Sequence, residues 1–235
     1  METTVQKKFV DLINKKADEI LSDDEQIKKW DFSNNLVGKV RNEVQVPITK
    51  QKHREYLLNI MKQGCLDYLK YNMAKNRARI YTNQVGYTQI NPNDGGVPTI
   101  ENIHLTQSWV VSQYAGDFNP FHIHEGQLSG VFYLRVPKSL PEEYAKEDHY
   151  PTVGDICWFN GQAATFSGHK FQHSPTVGDI FLFPNWLAHG VYPFRTKNEE
   201  RRSVSFNLQL IKKEGDPHGG NTETTKRKEF YKNKK

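Results

Sequence analysis

The sequence predicts a mainly β protein, a jelly roll with α-helices at its N-terminus buttressing one sheet. Three observations carry this. After the turn cluster 91-NPNDGGVP-98 the chain breaks into short β-branched and aromatic runs separated by Gly, Pro, Asn or Asp. Before it, apolar residues recur at helical spacing. The hexapeptide PTVGDI occurs at 151–156 and again at 175–180, each time as a turn feeding a strand-like run.

The elements follow in chain order. Residues 3–21 place Val5, Phe9, Leu12, Ile13, Ala17, Ile20 and Leu21 close to helical spacing, so a helix is expected there. Ser22 with Glu25 reads as a capping box for a short helical turn before Trp30. The run 38-GKVRNEVQV-46, ended by Pro47, reads as a strand. Thr49 opens a long helix to about Asn76, with Gly64 weakening its middle. Strands are then expected in SWVVSQY, FHIHEG, LSGVFYLRVP, GDICWFNG, GDIFLFP, HGVYPF and RRSVSFNLQLI. This divides the chain into residues 1–98, helices and a connecting strand packed on the barrel, 99–212, the β core, and 213–235, a basic tail.

Charge and composition narrow the function. The net charge is +5, and the last ten residues, KRKEFYKNKK, hold six Lys/Arg against one Glu. The basicity therefore belongs to the tail, whose polar composition predicts disorder and a solvated segment rather than a nucleic-acid interface. No apolar run has the length of a membrane span. The N-terminus lacks an apolar signal region, and Cys65 and Cys157 form no CxxC, so a cytoplasmic protein with two free thiols is expected.

The chemistry-bearing motif is 121-FHIHEG-126. In a strand, side chains at i and i+2 share a face, so His122 and His124 point one way and Glu125 the other. A metal site needs a further ligand, and His189 in 184-PNWLAHGVYPF-194 is the best candidate. Imidazoles suit iron, zinc, copper and nickel. The other histidines, His169 and His173 among them, have no comparable partner in the sequence. Trp158, Phe159, Phe183 and Trp186 suit a core as well as a pocket wall.

HIHEGQLSGVFYL, GDIFLFPNWLAHGV and ERRSVSFNLQL, in that order, resemble the 2-oxoglutarate-dependent Fe(II) oxygenases of the double-stranded β-helix fold. The likeness runs over about 105–211 and points to the small prokaryotic and phage-borne group related to prolyl hydroxylases. It implies Fe(II), with 2-oxoglutarate and O₂ as co-substrates and an unidentified protein or small-molecule substrate. It puts His122 and His189 in the two histidine roles and His124 where most of the superfamily has a carboxylate. Glu125 or Asp117 would be the alternative oxygen ligand if the strand bulges. It puts an Arg-x-Ser pair on the distal carboxylate of 2-oxoglutarate, with Tyr133 beside it. Alternation selects the arginine: Arg201, Ser203, Ser205 and Asn207 share one face, and Arg202, Val204, Phe206 and Leu208 the other, where they pack on a core or helix.

Two other classes compete. A cupin-type metalloenzyme fits Gly116 five residues before HxH, and Gly178, Pro184 and His189 downstream. It lacks the glutamate expected near Leu128 and Ser129, and it does not account for Arg201 and Ser203. A non-catalytic binding protein on the same fold would hold neither iron nor keto acid.

Overall fold

The computed structural model describes residues 2–76, 103–124, 126–146, 152–162 and 168–210. The boundary at 98/99, Glu125 and the basic tail lie outside the described residues. The elements are β1 (Glu2–Thr4), α1 (Lys7–Leu21), α2 (Asp24–Trp30), β2 (Asn42–Val44), α3 (Gln51–Asn76), β3 (Ile103–Gln113), β4 (Asn119–His122), β5 (Leu128–Arg135), α4 (Leu140–Ala145), β6 (Ile156–Phe159), β7 (Lys170–His173), β8 (Asp179–Pro184), β9 (Ala188–Val191) and β10 (Arg201–Leu210). A large sheet runs β1-β8-β5-β10-β3-β2 and a small one runs β4-β9-β6-β7. Every pairing in both is antiparallel. This is the expected jelly roll.

The large sheet's two faces can be read as cross-strand rows. Val44, Val110, Val204, Phe132 and Ile180 are successive partners across five strands. All five are buried in the main core beside Phe9, Val10, Ile13 and Ala17 of α1 and Leu57 and Met61 of α3. The next row, Glu43, Val111, Ser203 and Tyr133, points to the other face. That face turns to the small sheet and lines the pocket described below.

Packing holds the helices. Gln6 gives α1 no side-chain cap, whereas Phe9, Val10, Ile13, Ala17 and Ile20 are buried. Burying a large aliphatic or aromatic side chain contributes roughly 1.5–3 kcal/mol, more than a missing cap costs. Gly64 explains itself here: a Cβ would lie 2.6 Å from Leu182 Cδ1, so the glycine lets α3 approach β8 closely. The PTVGDI copies form matching turns. Asp155 N–H bonds to Thr152 O and Asp179 N–H to Thr176 O, with Gly154 (φ 66°) and Gly178 (φ 98°) in the left-handed region.

Four local expectations are corrected. The helix begins at Lys7, because residues 2–4 pair with β8 as a strand. The cap of α2 is Asp23, whose carboxylate accepts from Glu25 N and Gln26 N, while Ser22 closes α1. The strand read over 38–46 is only Asn42–Val44, with a single bridge from Lys39 to Phe118 before it. The HxH strand ends at His122, so His124 is not placed by strand alternation.

Candidate active site

Three histidines converge between the sheets. His122 ends β4 and pairs directly with His189 on β9. His124 follows β4, and its N–H bonds to Asn185 O while Asn185 Nδ2 donates to His124 O. These reciprocal bonds tie His124 to the β8–β9 turn. One ring nitrogen from each histidine lies within 4.8 Å of the others, and His124 Nε2 is 3.1 Å from His189 Nε2.

Their surroundings suit ligation. His122 Nδ1 faces Pro120 O at 2.7 Å and His189 Nδ1 faces Leu187 O at 3.0 Å. A carbonyl can only accept, so both Nδ1 atoms carry the proton and both Nε2 atoms keep a lone pair, that of His189 facing His124 Nε2 at 3.1 Å. Burial lowers the pKa of His122. Burial, and then the charges of His189 and His122, lower that of His124 to about 3. Burial and His122 lower that of His189 to about 4, against the Leu187 carbonyl. All three rings are therefore neutral near pH 7, the state a metal needs. Asp117 is not in this cluster: its Oδ2 accepts from Arg41 N and Tyr114 N and closes a loop.

Arg201 reaches the same pocket from β10 and is 2% exposed. Nη1 donates to Gln113 Oε1 at 3.1 Å and Nη2 to the Tyr133 hydroxyl at 3.0 Å. Nε is buried with no partner. Both partners are neutral, so the guanidinium has no counter-charge among the described residues. Burial raises the Tyr133 pKa, although Arg201 opposes it, and the phenol stays protonated. Ser203 lies one row over and also lines the pocket.

Arg202 shares its face with the apolar row, yet it is 2% exposed in an ionic cluster. Nε and Nη2 bond Glu200, Nη1 bonds Asn14, and Asp18 lies 2.7 Å away. It fastens β10 to α1.

The pocket encloses about 140 Å³. Trp109, Val111, Val131, Ile156, Phe183 and Val191 supply apolar walls. Trp158 is buried in the core and Trp186 is exposed. His173 is not partnerless, since Nε2 lies 3.3 Å from Asp179 Oδ2. Sequence reasoning missed three polar residues here, Glu43, Gln113 and Asn119. The pairing of β2 with β3 turns Glu43 inward, Gln113 stands opposite Arg201 on β3, and Asn119 enters from β4 of the small sheet.

Residues 107–207 match the family model described as "Putative 2OG-Fe(II) oxygenase". No curated protein matches the chain. A Pseudomonas putida prolyl-4-hydroxylase structure is 14% identical with a TM-score of 0.51, over 90% of this chain and 92% of that one. A viral collagen prolyl hydroxylase from Paramecium Bursaria Chlorella virus-1 is 10% identical with a TM-score of 0.48, over 90% and 96% of the two chains. At 14% identity the bacterial likeness is one of fold. Among the described residues, no helix is long and apolar enough to cross a membrane.

Proposed function

We propose, from the match of residues 107–207 to the family model described as "Putative 2OG-Fe(II) oxygenase", that this chain hydroxylates a C–H bond of a substrate held beside its three histidines. His122, His124 and His189 hold Fe(II), and Arg201, Tyr133 and Ser203 receive the distal carboxylate of 2-oxoglutarate. When bound, these groups supply the redox chemistry in which 2-oxoglutarate, O₂ and R–H become succinate, CO₂ and R–OH.

The chain's own residues do the rest. The Pro120 and Leu187 carbonyls hold two rings in the ligating tautomer. Tyr133 keeps a proton to donate, and Arg201 offers a planar fork to a carboxylate. The apolar walls exclude water. Three neutral imidazoles leave the iron one positive charge richer than a site with a carboxylate, and the dianionic co-substrate offsets this.

The observation that carries the reading is Arg201, a buried cation whose partners among the described residues are neutral, in one pocket with three converging imidazoles. A cupin reading leaves that arginine without a task. The test is anaerobic loading with Fe(II), then titration with 2-oxoglutarate. A visible charge-transfer band that saturates at one equivalent, followed by succinate on admitting O₂, is expected. Iron binding without the band would transfer the proposal to a cupin-type enzyme.

A further inference from the structure

The pocket face of the large sheet has two electrically different ends. The row Tyr133, Ser203, Val111, Glu43 steps across four adjacent strands. At one end stand the Tyr133 phenol and the Arg201 guanidinium, and at the other the Glu43 carboxyl. Strands lie about 4.8 Å apart, so the backbone of β5, which carries Tyr133, is three steps or roughly 14 Å from that of β2, and β10, which carries Arg201, is two steps or roughly 10 Å away. All of these residues line the pocket that holds the histidines. A dianion seated on Arg201 gains nothing from a carboxylate. Glu43 therefore serves the other ligand of the pocket.

Glu43 is 6% exposed. Its carboxyl takes a hydrogen bond from Asn119, and the charge that acts on it, from Asp31, is repulsive. Among the described residues no cation pairs with it, and Arg41 lays its guanidinium over the Tyr114 ring at 4.3 Å. Burial raises its pKa to about 7. Two amides lead toward it from the arginine: Arg201 Nη1 donates to Gln113 Oε1, Gln113 Nε2 donates to Asn119 Oδ1 at 2.9 Å, and Asn119 Nδ2, which donates to Val37 O at 3.1 Å, acts on the Glu43 carboxyl from beside it. A carboxyl sequestered with one neutral partner gains most from a cationic nitrogen.

We propose that Glu43 selects the substrate to be oxidised, and that this substrate carries an ammonium or guanidinium group that pairs with the Glu43 carboxylate. The inference rests on the oxygenase reading, which supplies the co-substrate for the opposite end. A free amino compound and a basic side chain of a peptide present the same group. The competing role for Glu43 is to balance Arg201 through the two amides. That role would act on 2-oxoglutarate and not on the substrate.

The experiment uses Fe(II)-loaded protein with 2-oxoglutarate under nitrogen. Calorimetry measures binding of L-lysine against L-norleucine, L-arginine against L-citrulline, and acetyl-Gly-Lys-Gly-amide against its norleucine counterpart. At least one cation is expected to bind ten-fold or more tightly than its neutral partner, and the free and peptide arms separate the two sources. Glu43→Gln keeps the shape and should abolish that preference while the 2-oxoglutarate band titrates as in the wild type. Glu43→Asp should restore part of it. Equal binding within each pair, or no binding of any probe, overturns the proposal. So does a Glu43→Gln variant that changes 2-oxoglutarate affinity and keeps the preference. Loss of the band in the wild type would count against the oxygenase reading, and the calorimetric preference would still decide the role of Glu43.

Discussion

Replacing the adjacent arginines Arg201 and Arg202 by methionine should separate chemistry from folding. Methionine keeps an unbranched stem and removes the charge. At Arg201 the loss falls on the bound acid. One charge-assisted bidentate contact is worth about 1.5–3 kcal/mol, so 2-oxoglutarate affinity should fall roughly ten- to a hundred-fold. The fold should change little, because the native partners are the neutral Gln113 and Tyr133. At Arg202 the loss falls on Glu200, whose side chain is 7% exposed and which accepts at 2.7 Å and 2.9 Å. Breaking a buried pair costs about 3–5 kcal/mol. Ser112 and Arg135 remain on Glu200, so the lower end applies, about 3 kcal/mol. For a chain of this size that is a fall in Tm of about 6–12 °C. Anaerobic 2-oxoglutarate titration and thermal melts of both variants make the check. Equal affinity losses, or an Arg201→Met protein that melts as early as Arg202→Met, would refute the assignment of faces.

Alanine at His189 or His124 should weaken Fe(II) retention against a chelator by more than the ten- to hundred-fold typical of losing an outer partner, with His173→Ala as the unaffected control. In metal-free protein the depressed histidine pKa values stabilise the fold above the ordinary value of 6.5, and that stability should drain away as pH falls from about 6.5 toward 4. Glu43, raised from 4.5 to about 7, works in the opposite sense as pH rises through that window, so urea melts in a Glu43→Gln background isolate the histidines. Gly130→Ala would set a Cβ 2.2 Å from Phe206 Cζ, and chemical denaturation should show a loss of about 1–3 kcal/mol.

Strand β10 shows what was legible in the sequence. RRSVSFNLQL alternates, the pairing stays in register from Ser203 to Asn207, and the polar and apolar faces fall where alternation puts them. Arg202 packs on a helix as its face predicts, but a row of Val and Phe gives no sign of the charges it meets there, Glu200 and Asp18. The histidine motif named the residues that converge, but through a strand that stops at His122. His124 arrives by way of Asn185, a contact 61 residues away that no local pattern encodes. Strand β1 is three residues long, too short to show a period. Ser22 and Asp23 are equally good caps by type, and only the reach of α1 to Leu21 decides between them. A lone Glu in NEV reads as solvent-facing until β2 is seen to flank β3.

The double tie between His124 and Asn185 has a kinetic consequence. His122 and His189 stand opposite each other on paired strands, and each ring is also tethered through Nδ1 to a nearby carbonyl. His124 sits on irregular chain, held by two hydrogen bonds to a turn. An ion held by all three would have one detachable arm, so its departure would begin at His124 and wait for that turn to loosen. Asn185 would then govern the lifetime of a bound ion more than its equilibrium occupancy. Such a site would release metal stepwise, at a rate set by a residue that never touches the ion.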